Sequence, residues 1–205
     1  GIVMPVSRRQ ELLRWANSRE DRYIIEDDYD SEFRYAGRPI PTLQSMDKNG
    51  RVIYLGTFTK SLAPSMRISY MVLPKQLCGR FTARLGFYSC TVPVFEQLTL
   101  AKFMEKGHFD RHISRMKKIY RQRRDILCKK ISESRLRDFV NISGCDAGMH
   151  LLLTVENGMK QNELLASAAK EGVKVYGLSE YYSFPVANMP ENIVVAGFSG
   201  LNEQQ

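Results

Sequence analysis

With 205 residues, of which 43% are apolar and 25% charged, the sequence has the make-up of a globular chain able to bury at least one good-sized core. No apolar stretch approaches the roughly 20 residues of a membrane span and no basic-then-apolar segment opens the sequence, so no membrane association and a cytoplasmic location are expected. The formal charge of +8 is local: from Lys106 to Arg137 there are twelve Lys or Arg against three acids, and the remainder is about neutral, which argues against a general nucleic-acid surface.

Taken in chain order, Val6 to Ser18 places Leu12, Leu13 and Trp15 at helical spacing, with Ser7 as a candidate N-cap and Glu11 soon after. Arg22 to Glu26 then reads as a short buried strand with an acidic cluster at its C-terminal end, where ligands sit in open α/β sheets. Ser31 to Gly50 is loop by composition. Val52 to Gly56 and Ile68 to Leu73 are compact apolar runs read as strands, and the turn holding Lys60 lies between them.

From Pro93 the pattern changes to helices. Phe95 to Lys106 forms one, Gly107 ends it, and Phe109, Ile113, Met116, Tyr120, Leu127 and Ile131 line a stripe on a longer one. The basic run is then the solvated face of an amphipathic helix linking two domains. After Arg137 a strand is read over Met149 to Val155, a helix over Gln161 to Glu171, and strands over Val173 to Tyr176 and Ile193 to Ala196. Gly200 to Glu203 reads as the opening of a last helix. The expected architecture is α/β, with a layered sheet first and a small α+β unit at the C-terminal end.

Four cysteines (Cys78, Cys90, Cys128, Cys145) lack CxxC spacing and read as reduced thiols. His108 and His112 form an i,i+4 pair without an HExxH pattern, so no metal site is expected.

The chemistry-bearing residues converge on one need. Pyridoxal 5'-phosphate requires a lysine to condense with its aldehyde, a carboxylate at its pyridine nitrogen, a hydroxyl donor at its phenolic oxygen, and hydroxyl or cationic groups at its phosphate. Lys60, Asp27, Tyr29, and Thr57, Thr59 and Arg67 answer these in turn, with Ser61 adding a further hydroxyl beside the lysine. The bland readings are a surface lysine, an acid that caps a turn, and a tyrosine in the core. Glu26, Asp27, Asp28 and Asp30 together would form a repulsive patch unless a cation sits close, and a protonated pyridinium would serve.

The stretches GIVMPVSRRQELLRWA, IIEDDYDSEFRY, YLGTFTKSLAPSMRISYMVLP and GHFDRHISRMKKIYRQRRDIL resemble the aminotransferase-like domain of the MocR/GabR group of GntR-type transcription regulators. These are relatives of fold-type I (aspartate aminotransferase-like) enzymes. The resemblance covers nearly the whole sequence. It implies a partial fold-type I transferase: residues 1–92 as the C-terminal part of the large cofactor-binding domain, 93–137 as interdomain helices, and 138–205 as the small α+β domain. It implies Lys60 as the Schiff-base lysine, Asp27 at the pyridine nitrogen, Tyr29 at the phenolic oxygen, and Thr57 and Arg67 at the phosphate. It further implies a homodimer, an amine or amino-acid effector sensed through the cofactor, and DNA held only by a separate helix-turn-helix domain.

Two departures from that pattern shape the expectation. Only about three of the seven large-domain strands are present, so the sequence reads as truncated, and the chain alone is expected to bind the cofactor weakly or not at all. No arginine follows Arg137 to clamp a substrate carboxylate, which leaves either a ligand without a carboxylate there, as an amine would be, or Lys160, Lys170 or Lys174 as a weaker substitute; Glu180 reads as a solvated acid ahead of a group favouring a cationic ligand. Three functions compete: a ligand-sensing domain of a regulator, a free-standing aminotransferase using the same Lys60, Asp27 and Tyr29, and a nucleic-acid surface on the Lys106 to Arg137 helix. The last lacks aromatics interleaved for base stacking.

Overall fold

The computed structural model describes residues 2–37, 39–184 and 189–201. They divide into two compact units, Met4–Glu32 with Arg38–Arg115, and Gly1–Val3 with Phe33–Gly37 and Met116–Gln205.

The first unit opens with α1 (Val6–Asn17), whose N-cap is Pro5 with no side-chain cap, so Ser7 sits inside the first turn rather than capping it. Strand β1 (Ile24–Asp28) lies two residues further on than the sequence suggests and includes the acids. Asp and Glu are poor strand formers, but parallel pairing with β2 (Val52–Thr57) fixes their backbone and outweighs that preference. Strand β3 (Ser69–Val72) pairs antiparallel with β2, giving the order β1-β2-β3. Leu13, Leu43 and Val52 form the buried cluster, flanked by Leu12, Ile24 and Met46. Leu43 belongs to the short helix α2 (Leu43–Met46), capped by Thr42 Oγ1, which accepts from Ser45 N at 3.0 Å.

Helix α3 (Lys75–Leu85) adds to the elements expected from the sequence; Leu77, Phe81 and Leu85 recur on it at helical spacing, and none of its residues is buried. Helix α4 (Val94–Glu105) matches the expected helix to within a residue at each end. Gly107, at φ 66°, then turns the chain with the left-handed conformation that glycine adopts at no steric cost. Helix α5 (His108–Glu133) follows and runs from the first unit into the second.

In the second unit, Phe33, Tyr35, Leu151 and Phe198 make the core, with Met116, Tyr120 and Leu127 of α5 packed against it. The stripe read from the sequence is therefore core packing, and the Phe33 and Tyr120 rings meet edge-on at 5.0 Å. A second sheet has the order β4-β5-β7-β6, all antiparallel, from β4 (Val140–Ser143), β5 (His150–Val155), β6 (Tyr176–Gly177) and β7 (Ile193–Gly197). Strand β4, Val-Asn-Ile-Ser, carries only two apolar residues and so shows no apolar run in the sequence. Of the strand expected over Val173 to Tyr176 only Tyr176 is in strand pairing, as the first of the two residues of β6, which a 3-10 turn, Leu178–Tyr181, follows at once. Helix α6 (Gln161–Lys170) is held by Gln161, whose amide oxygen accepts from Ser179 N at 3.0 Å while its nitrogen donates to Ser179 Oγ. The helix expected from Gly200 to Glu203 falls largely outside the described residues.

The basic run is not merely a solvated face. Arg121 and Arg124 donate to the backbone carbonyls of Tyr35 and Cys145 at 2.9 and 2.8 Å, and Arg123 to that of Ser199. These guanidiniums satisfy loop carbonyls that no strand reaches.

Candidate functional site

Parallel pairing of β1 and β2, in the register Asp28 with Gly56, brings the C-terminal ends of both strands to one edge of the first unit's sheet. The Asp27 to Tyr29 stretch leaves from one strand end and the Thr57 to Lys60 turn from the other. In an open α/β sheet this edge is where ligands are held.

Alternation along the strands sorts the acids onto opposite faces. Glu26 and Asp28 share a face with Tyr54 and Gly56; Asp27 shares the other with Leu55 and Thr57. Glu26 accepts from the backbone N–H groups of Leu43 and Gln44 at 2.8 and 2.9 Å and from Arg9 Nη1 at 3.1 Å, in a pair whose side chains are 15% and 11% exposed. It thus holds the start of α2 and neutralises α1's arginine. Asp28 accepts from Tyr54 Oη at 2.7 Å, Ser31 Oγ at 2.8 Å and Ser31 N at 3.2 Å. The Tyr54 phenol is pushed well above its ordinary range by burial first, and then by donating to Asp28 and facing its charge. Of the acidic cluster read from the sequence, Glu26 and Asp28 are thus met by partners within the fold.

Asp27 remains. It is exposed, and among the described residues its carboxylate has no hydrogen-bond or ion-pair partner. Tyr29, 40% exposed, follows the strand end. Burial lifts the nearby Glu32 carboxyl above the ordinary value, and the charges of Asp28 and Asp30 push it further up.

The turn after β2 gathers three of the expected phosphate contacts. Thr57 Oγ1 and Thr59 Oγ1 lie 3.1 Å apart, and Arg67 Nη1 donates to Thr59 Oγ1 at 3.4 Å. Thr59 N donates to Thr57 Oγ1 at 3.3 Å, and the Thr59 and Thr57 hydroxyls donate to the carbonyls of Met66 and Ile68, so the turn is tied to the segment that leads into β3. Lys60 is exposed in this turn, and among the described residues its Nζ has no hydrogen-bond or ion-pair partner. Ser61 departs from expectation. It is 1% exposed, with Oγ unpartnered among the described residues, and so turns into the fold instead of joining the hydroxyl group. Its burial anchors the turn from beneath.

The donor set is the one an anionic phosphate takes: two hydroxyls and a guanidinium beside an amine. Asp27, Thr57, Thr59, Lys60 and Arg67 thus fit pyridoxal phosphate in kind, on the strand ends that would present them. The sequence did not reveal the supporting residues Arg9, Ser31 and Tyr54; only the register, Glu26 with Tyr54 and Asp28 with Gly56, exposes their part.

Of the lysines considered as carboxylate substitutes, Lys160 is paired with Glu191 at 3.1 Å, and Lys174 stands over the Tyr176 ring at 5.3 Å. Glu180 accepts from Gly177 N at 3.3 Å, a local cap that accounts for the acid without a cationic ligand. Among the described residues no group of three His, Cys, Asp or Glu is disposed to hold a metal ion, and no helix is long and apolar enough to cross a membrane.

No family model matches the chain. The uncharacterized HTH-type transcriptional regulator YdeL of Bacillus subtilis (strain 168) is 43% identical over 203 residues, spanning 99% of this chain and 43% of that protein. The probable rhizopine catabolism regulatory protein MocR of Rhizobium meliloti is 35% identical, over 98% of this chain and 40% of that protein. Among solved structures, the multiple substrate aminotransferase of Thermococcus profundus superposes with a TM-score of 0.82 at 31% identity, over 99% of this chain and 49% of that one. The chain thus spans less than half the length of the curated relatives it matches. Its α/β architecture is a partial fold-type I aminotransferase fold.

Proposed function

We propose, from the kinship of this chain with the aminotransferase-like region of MocR/GntR-type HTH regulators, that it is the ligand-sensing part of a transcription regulator and that it holds pyridoxal 5'-phosphate through Lys60. The observation that carries the site assignment is the convergence of Asp27 and the Thr57–Thr59–Arg67 group on one edge of a parallel strand pair. When bound, the cofactor would supply an electron sink for bonds at an amine-bearing carbon.

The residues divide the work. Thr57, Thr59 and Arg67 would bind the phosphate, the guanidinium contributing charge and direction together. Asp27 would hold a proton at the ring nitrogen, its carboxylate having no competing hydrogen-bond or ion-pair partner among the described residues. Tyr29 would donate to the phenolic oxygen, and Lys60 would provide the amine of attachment. Residues 1–92 would belong to the large domain, 93–137 to interdomain helices and 138–205 to the small domain, in a homodimeric protein whose DNA contacts lie on a separate domain. The absence of arginine after Arg137 supports an effector recognised chiefly through its amine.

The test is labelling with pyridoxal phosphate, borohydride reduction and peptide mapping, in wild type and Lys60→Ala. Modification concentrated on Lys60 is the expected result, and even labelling of surface lysines would sink the assignment. A second reading, a free-standing aminotransferase, is favoured by the 31% identity with the Thermococcus profundus enzyme. Steady turnover of an amino acid with an oxo acid would select it. Binding of amines without turnover supports the sensing role.

A further inference from the structure

Cys128 and Cys145 lack CxxC spacing in the sequence, yet their Sγ atoms stand 4.0 Å apart within the second unit. Cys128 lies on α5 and Cys145 in the loop between β4 and β5; both pack against the Phe33, Tyr35, Leu151 and Phe198 core. We propose that Cys128 and Cys145 form an oxidative modification site, a dithiol that reacts with small disulfides to give an intramolecular disulfide joining α5 to the β4–β5 loop.

Three features of the surroundings support this. Arg124, one turn before Cys128, donates to the Cys145 carbonyl at 2.8 Å, so the two backbones are already tied at the height of the thiols. A disulfide needs the sulfurs at about 2.05 Å, so they must close by roughly 2 Å. Gly144 and Gly148, at φ 70° and 77°, bracket the Cys145 loop with positions that relax more readily than other residues. Both thiols are only half-buried, leaving a route for a small oxidant.

The reaction balances without any group from the cofactor site. One cysteine thiolate attacks a small disulfide, forming a mixed disulfide and expelling one thiol. The second cysteine attacks the protein sulfur of that adduct, forming the Cys128–Cys145 bond and releasing the second thiol. Two protein thiols are oxidised and one small disulfide is reduced to two thiols. Burial, and then the neighbouring Cys145, push the Cys128 thiol up to about 11. Formation is therefore slow at neutral pH and faster in mild alkali.

The bond would act on more than a surface loop. That loop holds the segment immediately after the Asp27–Tyr29 arm: Tyr35 N donates to Asp146 O at 2.9 Å, Gly148 N to Phe33 O at 2.9 Å, and Tyr35 Oη to Gly148 O at 2.7 Å. Oxidation would lock that three-way junction to α5.

The experiment treats the folded chain with oxidised glutathione at pH 8.5, blocks residual thiols with an alkylating agent, and measures intact mass and linked peptides. The expected result is alkyl or glutathione adducts confined to the exposed Cys78 and Cys90, a Cys128–Cys145 linked peptide two hydrogens lighter than its two reduced peptides together, and a melting midpoint several degrees higher that returns on reduction. Cys128→Ser and Cys145→Ser should each abolish the link and the shift, while the double variant Cys78→Ser/Cys90→Ser keeps both. Cys128 and Cys145 recovered alkylated, or carrying stable glutathione adducts without the link, would overturn the proposal.

Discussion

Asp27 and Asp28 are adjacent and chemically identical, yet the strand turns them to opposite faces and so to opposite duties. Asp28→Ala strands the half-buried Tyr54 hydroxyl and frees the Ser31 turn, and should cost about 1–3 kcal/mol in chemical denaturation. Asp27→Ala breaks no hydrogen bond or ion pair among the described residues and should leave stability within about 0.5 kcal/mol, while lowering cofactor labelling at Lys60. A stability loss of equal size in both would contradict the division of labour. Arg67→Ala should weaken cofactor binding by about 1.5–3 kcal/mol, roughly ten- to hundredfold, with Thr59 retained; a titration followed by absorbance reads it. Glu32 gives a pH test. Its folded value lies above the unfolded 4.5, so its contribution is fully present below that pH and is lost as pH rises through the folded value. At neutral pH the ionised form is therefore a liability. Glu32→Gln should raise the melting midpoint at pH 7 and flatten its pH dependence, and a lower midpoint at pH 7 would refute the burial argument.

At the scale of elements, the Glu26–Arg9 pair fastens α1, β1 and α2 into one layer. Removing a single partner of a nearly buried pair is severe, so Arg9→Ala should cost about 3 kcal/mol or more, and the loss should appear in the first unit's unfolding. The sequence displays α1, α5 and α6 because their apolar residues recur at helical spacing over ten or more positions, and α4 as a twelve-residue apolar-rich run between Pro93 and Gly107. It displays β2, β3, β5 and β7 as short apolar runs. It leaves out α3, although Leu77, Phe81 and Leu85 are helically spaced, and β4, whose Val-Asn-Ile-Ser offers only two apolar residues and no run. The candidate site was legible in its reacting groups, Lys60, Asp27, Tyr29 and Arg67, because those side-chain chemistries are rare in such company. Its scaffold was not legible. That Ser61 turns inward, and that Glu26 and Asp28 are consumed by Arg9, Tyr54 and Ser31, follows from strand register and from pairings more than fifteen residues apart for Arg9 and Tyr54. Neither is written in local composition. Gly56 shows the same limit: a Cβ there would fall within the Tyr70 ring, a close approach that only the β2–β3 register reveals.

For the whole molecule, the net charge of +8 sits on a helix whose arginines are partly spent on loop carbonyls. The isolated chain should therefore bind duplex DNA no better than other basic surfaces and lose that binding steeply with salt, which a gel shift at two ionic strengths will check. Large apolar side chains stay exposed, among them Ile25 on the Asp27 face of β1 and Phe87, Val94 and Phe95 around the start of α4, and patches of this kind mark surfaces that bind something. The account rests most heavily on Lys60 being chosen from among many exposed lysines. The most direct measurement is the site distribution of borohydride-fixed pyridoxal phosphate on the chain at saturating cofactor, by peptide mapping. The account predicts that Lys60 carries most of the label even where affinity is weak, and that Arg67→Ala erodes that preference. Label spread over Lys117, Lys118, Lys129 and Lys130 as readily as over Lys60 would contradict it.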